Sequence, residues 1–240
     1  MSRYLVFQLY APLMSWGEAA VGEVRHSNAV PSRSALLGLL AAACGIRREA
    51  AHLDEFNRHY HFAIRPFSSR EQWLRDYHTV EVPKENRKRI YFTRRDELVL
   101  GQEDLNNPMI TTREYRCDAL FHIAVKETEG APIVLEKLAA ALEEPVFPLY
   151  LGRKSCPPAL PLAPLILDGT LAHVFYQAEQ ALICPELAAI TTASDLCYWE
   201  GEPQGVVPAI SVQRSDQPLS KVRWQFTTRS QFAGQLREEK

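Results

Sequence analysis

The chain has 240 residues, of which 46% are hydrophobic and 23% charged, and its formal net charge is −2. These values are ordinary for a globular protein large enough to bury a core, and they argue against long disordered regions. No apolar run is long enough to cross a bilayer, and the N-terminus lacks the apolar stretch and cleavage site of a signal peptide. We therefore expect a cytoplasmic protein with no membrane contact.

The cysteines and histidines do not form a disulfide or metal-binding pattern. The five cysteines are odd in number, widely spaced and without a CxxC motif, so we expect buried free thiols. His59 and His61 would share one face of a strand, but no third ligand lies near them in the sequence. We expect neither a metal nor another cofactor.

The first elements along the chain are a strand and a helix. Residues 3–10 alternate, with Leu5, Phe7 and Leu9 on one face, which predicts a half-buried strand. Residues 32–46 form the clearest helix, apolar around most of its circumference, and Gly38 would allow a close backbone approach. Further elements are predicted as helices at 52–58, 133–143 and 171–183 and as strands at 61–67, 76–82, 111–125, 197–199, 209–214 and 222–229.

The segment KENRKRIYFTRR at 84–95 holds the densest charge on the chain. Six cations stand against a single acid, Glu85, and the cations bracket Tyr91 and Phe92. Cations beside aromatic rings suit a polyanion whose bases can stack, although a solvated charged loop is the common alternative. Because strands flank it on both sides, the segment predicts a hairpin that projects from a sheet.

The order strand, helix, strand, strand, helix predicts an α+β fold with a ferredoxin-like or RNA-recognition-type sheet. We assign residues 1–150 to this sheet, which carries a projecting β-hairpin at about 83–110. Residues 151–240 would form a small β-rich C-terminal extension. Six prolines between Pro145 and Pro164 keep that segment out of regular sheet.

Charge is distributed unevenly along the chain. From Ser155 to Gln213 there is no lysine or arginine, while six acids occur there. A nucleic acid is therefore expected on the surface formed by the rest of the chain, and the acidic stretch faces protein partners or solvent.

Several short segments could hold phosphate. Ser32, Arg33 and Ser34 stand at the start of the core helix, where free N–H groups attract anions, although ordinary capping is the favoured explanation of this feature taken alone. The segment YLGRKSCP at 150–157 joins an aromatic ring, a glycine, two cations and a hydroxyl between prolines. It could cradle an RNA backbone or be an ordinary surface loop.

Taken together, PSRSALLGLLAAACGI, LRDYHTV, TTREYRCDA, PLYLGRKSCP and QFTTRSQF resemble, in order and spacing, the CasD family of the type I-E CRISPR surveillance complex, Cascade. The resemblance runs from the first strand nearly to the C-terminus and is weakest at 83–110 and 165–220.

The resemblance implies a non-catalytic RNA-binding subunit that grips the 5′ handle of the CRISPR RNA. It implies that the predicted sheet is a palm and that the hairpin at about 83–110 is a thumb, which crosses the guide near the target DNA. It also implies contacts with the last backbone subunit and the large subunit. The residues that we expect to contact RNA are Ser32, Arg33, Ser34, Arg75, His78, Lys84, Arg87, Lys88, Arg89, Tyr91, Arg94, Arg95, Arg113, Tyr115, Tyr150, Gly152, Arg153, Lys154 and Ser155.

Two other functions stay open. In a sister branch of this superfamily the equivalent subunit cuts precursor RNA without a metal, and Tyr77 and His78 with Arg75 or Lys154 could supply the groups for this. However, adjacent strand residues point to opposite faces, so Tyr77 and His78 cannot both aim at one phosphate. The other possibility is a pure protein scaffold, which salt-dependent RNA binding would exclude.

Overall fold

The computed structural model describes residues 2–18, 20–69, 72–86, 88–182, 187, 191–192, 194–220 and 222–237. Within these residues the strands are β1 (Ser2–Met14), β2 (Val24–Arg25), β3 (Tyr60–Ser69), β4 (Gln72–Val80), β5 (Met109–Glu127), β6 (Leu165–Gly169), β7 (Thr191–Thr192), β8 (Leu196–Trp199), β9 (Val206–Ser220) and β10 (Gln225–Leu236).

The helices are α1 (Arg33–Ala43), α2 (Leu53–Phe56), α3 (Arg94–Leu98), α4 (Leu135–Glu143) and α5 (Leu171–Leu182), with one 3₁₀ turn at Gln102–Asp104. The helices predicted at 32–46, 133–143 and 171–183 are confirmed within a few residues. The strands predicted at 209–214 and 222–229 are much longer than expected, because β9 and β10 pair with each other along most of their length. The segment from 145 to 164 contains no helix or strand, as its prolines predicted.

The strands form a large, mainly antiparallel sheet. Its main path runs in the order β6, β1, β5, β3, β8, β10 and β9, and β4 pairs with the first half of β5. This α/β architecture confirms the predicted mixture of helix and strand. β6 lies beside β1 and β8 lies beside β3, so strand pairing crosses the proposed boundary near residue 150 on both sides. The division into two domains remains a prediction.

Strand β1 is buried on both faces, not on one as the alternation predicted. Leu5, Phe7 and Leu9 pack with α1 and α4 in the main core. Tyr4 and Val6, on the opposite face, pack against α5 in a second core. The second face is covered by a helix that lies about 165 residues further along the chain, and a strand's own pattern contains no information about that.

β4 pairs with the first half of β5, residues 109–117, and this two-stranded ribbon, here called the thumb, leads to residues 81–108. The boundaries expected for the thumb, about 83–110, stay a prediction. Residues 81–108, here called the thumb tip, contain α3, the 3₁₀ turn and one isolated bridge between Pro83 and Leu105 within the described part of the chain. The chain enters the thumb from the palm at Asp118, whose positive φ of 47° marks an irregular residue in β5.

Two predictions about side chains have different outcomes. Cys156 and Cys197 are buried free thiols, as predicted, whereas Cys44 and Cys117 are free but only half-buried, and Cys184 lies outside the described residues. Gly38 does not make the close approach predicted for it, since a Cβ added there would meet no atom within 4 Å. Among the described residues no helix is long and apolar enough to span a bilayer, and no group of three or more potential metal ligands occurs.

Candidate nucleic-acid interface

The signature loop, residues 150–156, is fixed by backbone hydrogen bonds. Leu151 N donates to Cys156 O at 2.7 Å, and Ser15 N, just beyond β1, donates to Leu151 O at 3.1 Å. Gly152 has φ +91°, and a Cβ at this position would lie 1.7 Å from Ser15 O, so only glycine fits. With the backbone held by these hydrogen bonds, the Tyr150 side chain is 42% exposed, and Lys154 and Ser155 are exposed as well. A rigid loop therefore presents an aromatic ring, a cation and a hydroxyl to the surroundings.

Arg153 and Tyr115 form a pair at the base of this loop. The guanidinium of Arg153 lies 4.6 Å from the centroid of the Tyr115 ring, and Tyr115 is only 7% exposed. Tyr115 therefore supports Arg153 and exposes little of its ring, and its contact with RNA stays an untested prediction. One guanidinium nitrogen of Arg153, Nη1, is buried without a hydrogen-bond partner.

The start of α1 is occupied by the protein's own groups. The side chain of Ser32 accepts a hydrogen bond from Ala35 N at 3.3 Å, and Ser34 lies 3.2 Å from it between hydroxyl oxygens. The backbone N–H of Arg33 donates to Asp216 Oδ2 at 2.8 Å. A carboxylate from β9 thus takes the position in which a phosphate was expected, and the capping alternative holds for Ser32.

Arg33 itself is 3% exposed and lies in a buried charge cluster with Glu200, Asp216 and Arg229. Its guanidinium donates to Tyr60 O at 2.5 Å and Asn57 O at 3.0 Å and pairs with Glu200. Burial lowers the pKa of Arg33, and the nearby Glu200 carboxylate opposes that effect. All these acceptors are internal, so the guanidinium of Arg33 is used within the fold, and its contact with RNA stays an untested prediction.

A groove beside the signature loop brings together residues that the sequence analysis did not select. This palm groove has a volume of about 540 Å³ and lies between one side of α1, the turn at 46–49 and residues 147–152. Arg47 lies 6.0 Å from the centroid of Phe147, and Arg48 lies 4.0 Å from that of Trp224. Both arginines are exposed, and neither is ion-paired within the described part of the chain. The adjacent pair after α1 was visible in the sequence, but its aromatic neighbours come from distant segments.

The positive charges near the base of the thumb are partly neutralised by acidic side chains. Glu114 accepts hydrogen bonds from Arg75 at 2.9 Å and pairs with His26 Nδ1 at 3.0 Å. Burial raises the pKa of Glu114, but the hydrogen bonds from His26 and Arg75 outweigh it and leave that pKa below its ordinary value. Arg113 is half-buried and stands opposite Asp76 in the strand register. Arg75 and Arg113 therefore carry less free charge than the sequence suggested, while His78 is half-buried on β4.

The thumb tip is electrically balanced. Residues 81–108 contain six cations and six acids. Arg89 pairs with Asp104 at 2.6 Å, Arg94 pairs with Glu97, and Lys84 Nζ donates to Glu103 O at 2.7 Å. The predicted positive surface at 84–95 is therefore largely cancelled by acids that follow it in the sequence. Lys88 and Arg95 are exposed and not ion-paired among the described residues, and the predicted contact of Arg87 lies outside those residues.

The thumb tip exposes several large apolar side chains. The side chains of Ile90, Phe92, Leu98 and Val99 are 76%, 86%, 65% and 74% exposed. Tyr91 is half-buried beside Arg89, with which it shares a hydrogen bond. Helix α3 is held by a capping box between Thr93 and Asp96 and not by a core. Such a surface suits contacts with a base or with other protein chains.

The chain is similar to proteins of CRISPR systems. Residues 4–232 match the family model described as CRISPR-associated protein (Cas_Cas5). The chain is 34% identical over 170 residues to the CRISPR system Cascade subunit CasD of Escherichia coli (strain K12), which covers 68% of this chain and 70% of that protein.

Two solved structures share its fold. A chain of a CRISPR RNA-guided surveillance complex superposes with a TM-score of 0.63 at 23% identity, covering 97% of this chain and 90% of the other. The crystal structure of a Cas protein superposes with a TM-score of 0.51 at 22% identity, covering 98% of each chain.

Proposed function

The chain belongs to the Cas5 family of CRISPR-associated proteins, and on this premise we propose that it is the non-catalytic subunit that grips the 5′ handle of the CRISPR RNA in a type I-E Cascade complex. Its partners would be the CRISPR RNA, the backbone subunit and the large subunit, with target DNA near the thumb. It would act in the cytoplasm.

The observation that supports this proposal best is the signature loop. Its backbone is clamped to the end of β1, so Tyr150, Lys154 and Ser155 are presented without a flexible loop having to order on binding. The neighbouring Arg47 and Arg48 add two cations on the same side, because both the loop and these arginines border the palm groove. Pre-ordered cations beside aromatic rings are suited to a bent single-stranded backbone.

The palm topology supports the ferredoxin-like reading. In chain order the elements β1, α1, β3, β5, α4 and β6 give strand, helix, strand, strand, helix, strand. Their spatial order is β6, β1, β5, β3 with antiparallel neighbours. This is the arrangement expected when two strand–helix–strand units interleave in one sheet.

We assign the thumb tip to contacts with a displaced base and with neighbouring subunits. Its paired charges leave little net attraction for phosphate, whereas Phe92, Ile90 and Leu98 present apolar surface that would gain from burial. The tip would then act as a wedge more than as a cationic clamp.

The geometry favours a non-catalytic role over the endoribonuclease alternative. Lys154 follows Arg153, which stacks on Tyr115, and Tyr115 is opposite Leu74 in the β4–β5 register. His78 is opposite Thr111, four residues further along the strand, which corresponds to about 13 Å. The strand positions nearest to His78 and to the signature loop are therefore well separated, which argues against a base at His78 and a cation at Lys154 acting on one phosphate.

The binding test compares Lys154→Ala with Lys137→Ala, a change of an equally exposed lysine on α4. Loss of one single-strand phosphate contact in Lys154→Ala should weaken RNA binding and flatten the slope of log affinity against log salt concentration by about 0.7. Lys137→Ala should keep the affinity and the slope of the natural chain. Fluorescence anisotropy with a labelled handle RNA at several salt concentrations measures this. Equal affinity and slope in both variants would remove the signature loop from the interface.

The absence of catalysis is tested by incubating the purified chain with precursor CRISPR RNA in a chelator. We expect no cleavage, because the groups are too far apart to act together. Metal-independent cutting that disappears in His78→Ala would contradict the proposal and establish the ribonuclease alternative.

A further inference from the structure

The palm groove has an opening along α1 that helix packing does not require. Ser34, Gly38 and Ala42 lie four residues apart on one side of α1 and line the groove with small side chains. Glycine inside a helix is less stable than alanine. At Gly38 nothing within 4 Å would obstruct a Cβ, so close packing does not explain the glycine. The absence of a side chain at Gly38 keeps the wall of the groove open, which explains the glycine.

The groove also carries groups with unused hydrogen-bonding capacity. Arg47 and Arg48 lie along it, each held against an aromatic ring, so their guanidinium edges are free to donate. Glu49 also borders the groove and offsets one of the two charges. Asn57 lines the groove and is 0% exposed, yet neither its side-chain oxygen nor its nitrogen has a hydrogen-bond partner. An unpaired buried amide is unfavourable, and its donor and acceptor match the edge of a nucleobase.

We propose that the palm groove holds one unstacked nucleotide of the bound RNA. The nucleotide's phosphate lies against Arg47 and Arg48, and its base lies between Tyr150 and the small side chains of α1. Asn57 is the side chain placed to read the base edge. The volume of about 540 Å³ is within the range of small-molecule sites. This inference rests on the proposed function, since the nucleotide belongs to the same RNA strand that crosses the signature loop.

The charge of the palm groove and its connection to the signature loop both indicate which ligand the groove binds. The groove ends at Tyr150 and Gly152 of the signature loop, so a strand held by Lys154 has a direct route into it. The two arginines exceed the single acid, which favours a phosphate over an acidic or neutral peptide. The aromatic rings of Phe147 and Tyr150 border the groove and favour a base over a simple anion.

The test fills the groove without changing charge. Gly38→Leu puts a large side chain in the opening and replaces glycine with a better helix former, while Gly38→Ala gives the same helical benefit with little filling. Both full-length variants should melt no earlier than the natural chain. Affinity for a U10 or A10 oligoribonucleotide should fall roughly tenfold in Gly38→Leu, the loss of about one base stack, and stay unchanged in Gly38→Ala.

A photo-crosslink locates the nucleotide. In U10 carrying 4-thiouridine, the natural chain should crosslink within the peptide that contains Phe147 and Tyr150, and Gly38→Leu should lose that crosslink. Arg47→Ala with Arg48→Ala should remove the contact with that one phosphate and flatten the log–log salt slope by about 0.7. Normal RNA affinity and an unchanged crosslink in Gly38→Leu would overturn the inference while leaving the signature loop intact.

Two further outcomes distinguish this inference from its premise. If the natural chain binds no RNA in any assay, the proposed function fails and the inference fails with it. If Gly38→Leu binds RNA normally but does not assemble with the other subunits, a protein segment occupies the groove and only the inference is wrong.

Discussion

In the thumb tip, Arg89 and Arg94 each lie against a carboxylate of the same segment, whereas in the palm groove Arg47 and Arg48 lie against aromatic rings. The tip holds the denser run of cations in the sequence, yet it has as many acids as cations over residues 81–108. The groove has only two arginines, but they retain their capacity to bind an anion. The number of cations in a segment therefore says little about the charge that its surface presents after folding.

Both regions differ from a third site, the buried charge cluster at the start of α1. There Arg33 is enclosed by internal acceptors and stabilises the junction between α1, β8 and the C-terminal hairpin. Arginines thus have three different surroundings in this protein. In the interior they pair with buried acids, in the thumb tip they pair with acids of the same segment, and in the palm groove they stay available to bind an anion. Each of the following measurements tests one part of this comparison.

The largest effect is expected from Arg33→Ala. Removing the guanidinium leaves Glu200 and Asp216 buried with fewer partners, so the free energy of unfolding should fall by about 3–5 kcal/mol. The same change at the exposed Arg95 of the thumb tip should alter it by less than about 0.5 kcal/mol. Urea denaturation of both variants measures this. Equal stability of the two variants would contradict the buried role of Arg33.

A buried histidine should make the palm sensitive to acid. His122 is 0% exposed, and burial, with the nearby Arg65, lowers its pKa to about 3. The unfolded chain binds the proton more readily than the folded one, so stability should decline as pH falls from about 6.5 towards 3, by up to about 1.4 kcal/mol per pH unit. His122→Leu should remove this component from the pH dependence of unfolding.

The control for that measurement is Gln8→Leu. Gln8 stands opposite His122 in the strand register and is also buried, but it does not titrate. Its replacement changes packing and leaves the acid sensitivity in place. A pH profile that is the same in His122→Leu and the natural chain would show that another group causes the acid sensitivity.

The balance of charge in the thumb tip can be altered directly. Glu97→Gln with Asp104→Asn releases Arg94 and Arg89, which should strengthen RNA binding at low salt and steepen the log–log salt slope by up to about 1.4. Glu143→Gln with Glu144→Gln makes the same charge change at the end of α4 and should have little effect on the slope. If both double variants gave the same slope, local pairing in the tip would not control its affinity for RNA.

The smallest effect is expected at Asp118, where the chain passes from the palm into the thumb. Asp118→Gly suits the positive φ but adds freedom to the unfolded chain, so stability should change by less than about 1 kcal/mol. Asp118→Val should cost about 1–2 kcal/mol more, because a branched side chain is strained in that conformation. Thermal unfolding of the two variants checks the order, and a more stable valine variant would contradict it.

Much of the secondary structure was predictable because it depends on local periodicity. The core helix, the helices at 133–143 and 171–183 and the strands around 61–67 and 111–125 all appear where the pattern placed them. The family was also recognisable from short motifs, and the comparisons confirm it. The signature loop is a mixed case, since its motif is visible in the sequence but the need for Gly152 comes from the distant Ser15 O.

The surroundings of individual cations were not predictable from their own segments. The sequence near Arg33 and Tyr115 does not show that Glu200, Asp216 and Arg153 lie beside them. The aromatic neighbours of Arg47 and Arg48, Phe147 and Trp224, are about 100 and 176 residues away in the sequence. The charged run at 84–95 likewise does not show that the regular strand pairing lies outside it, between β4 and the first half of β5.

The sequence by itself determined the helices, most of the strands and the family, because these depend on local backbone preferences and on motifs of a few adjacent residues. Only the tertiary structure decided which cations are buried, which are neutralised and which face solvent. Electrostatic and packing interactions act between atoms a few ångströms apart, and folding brings together side chains from segments that the sequence keeps far apart.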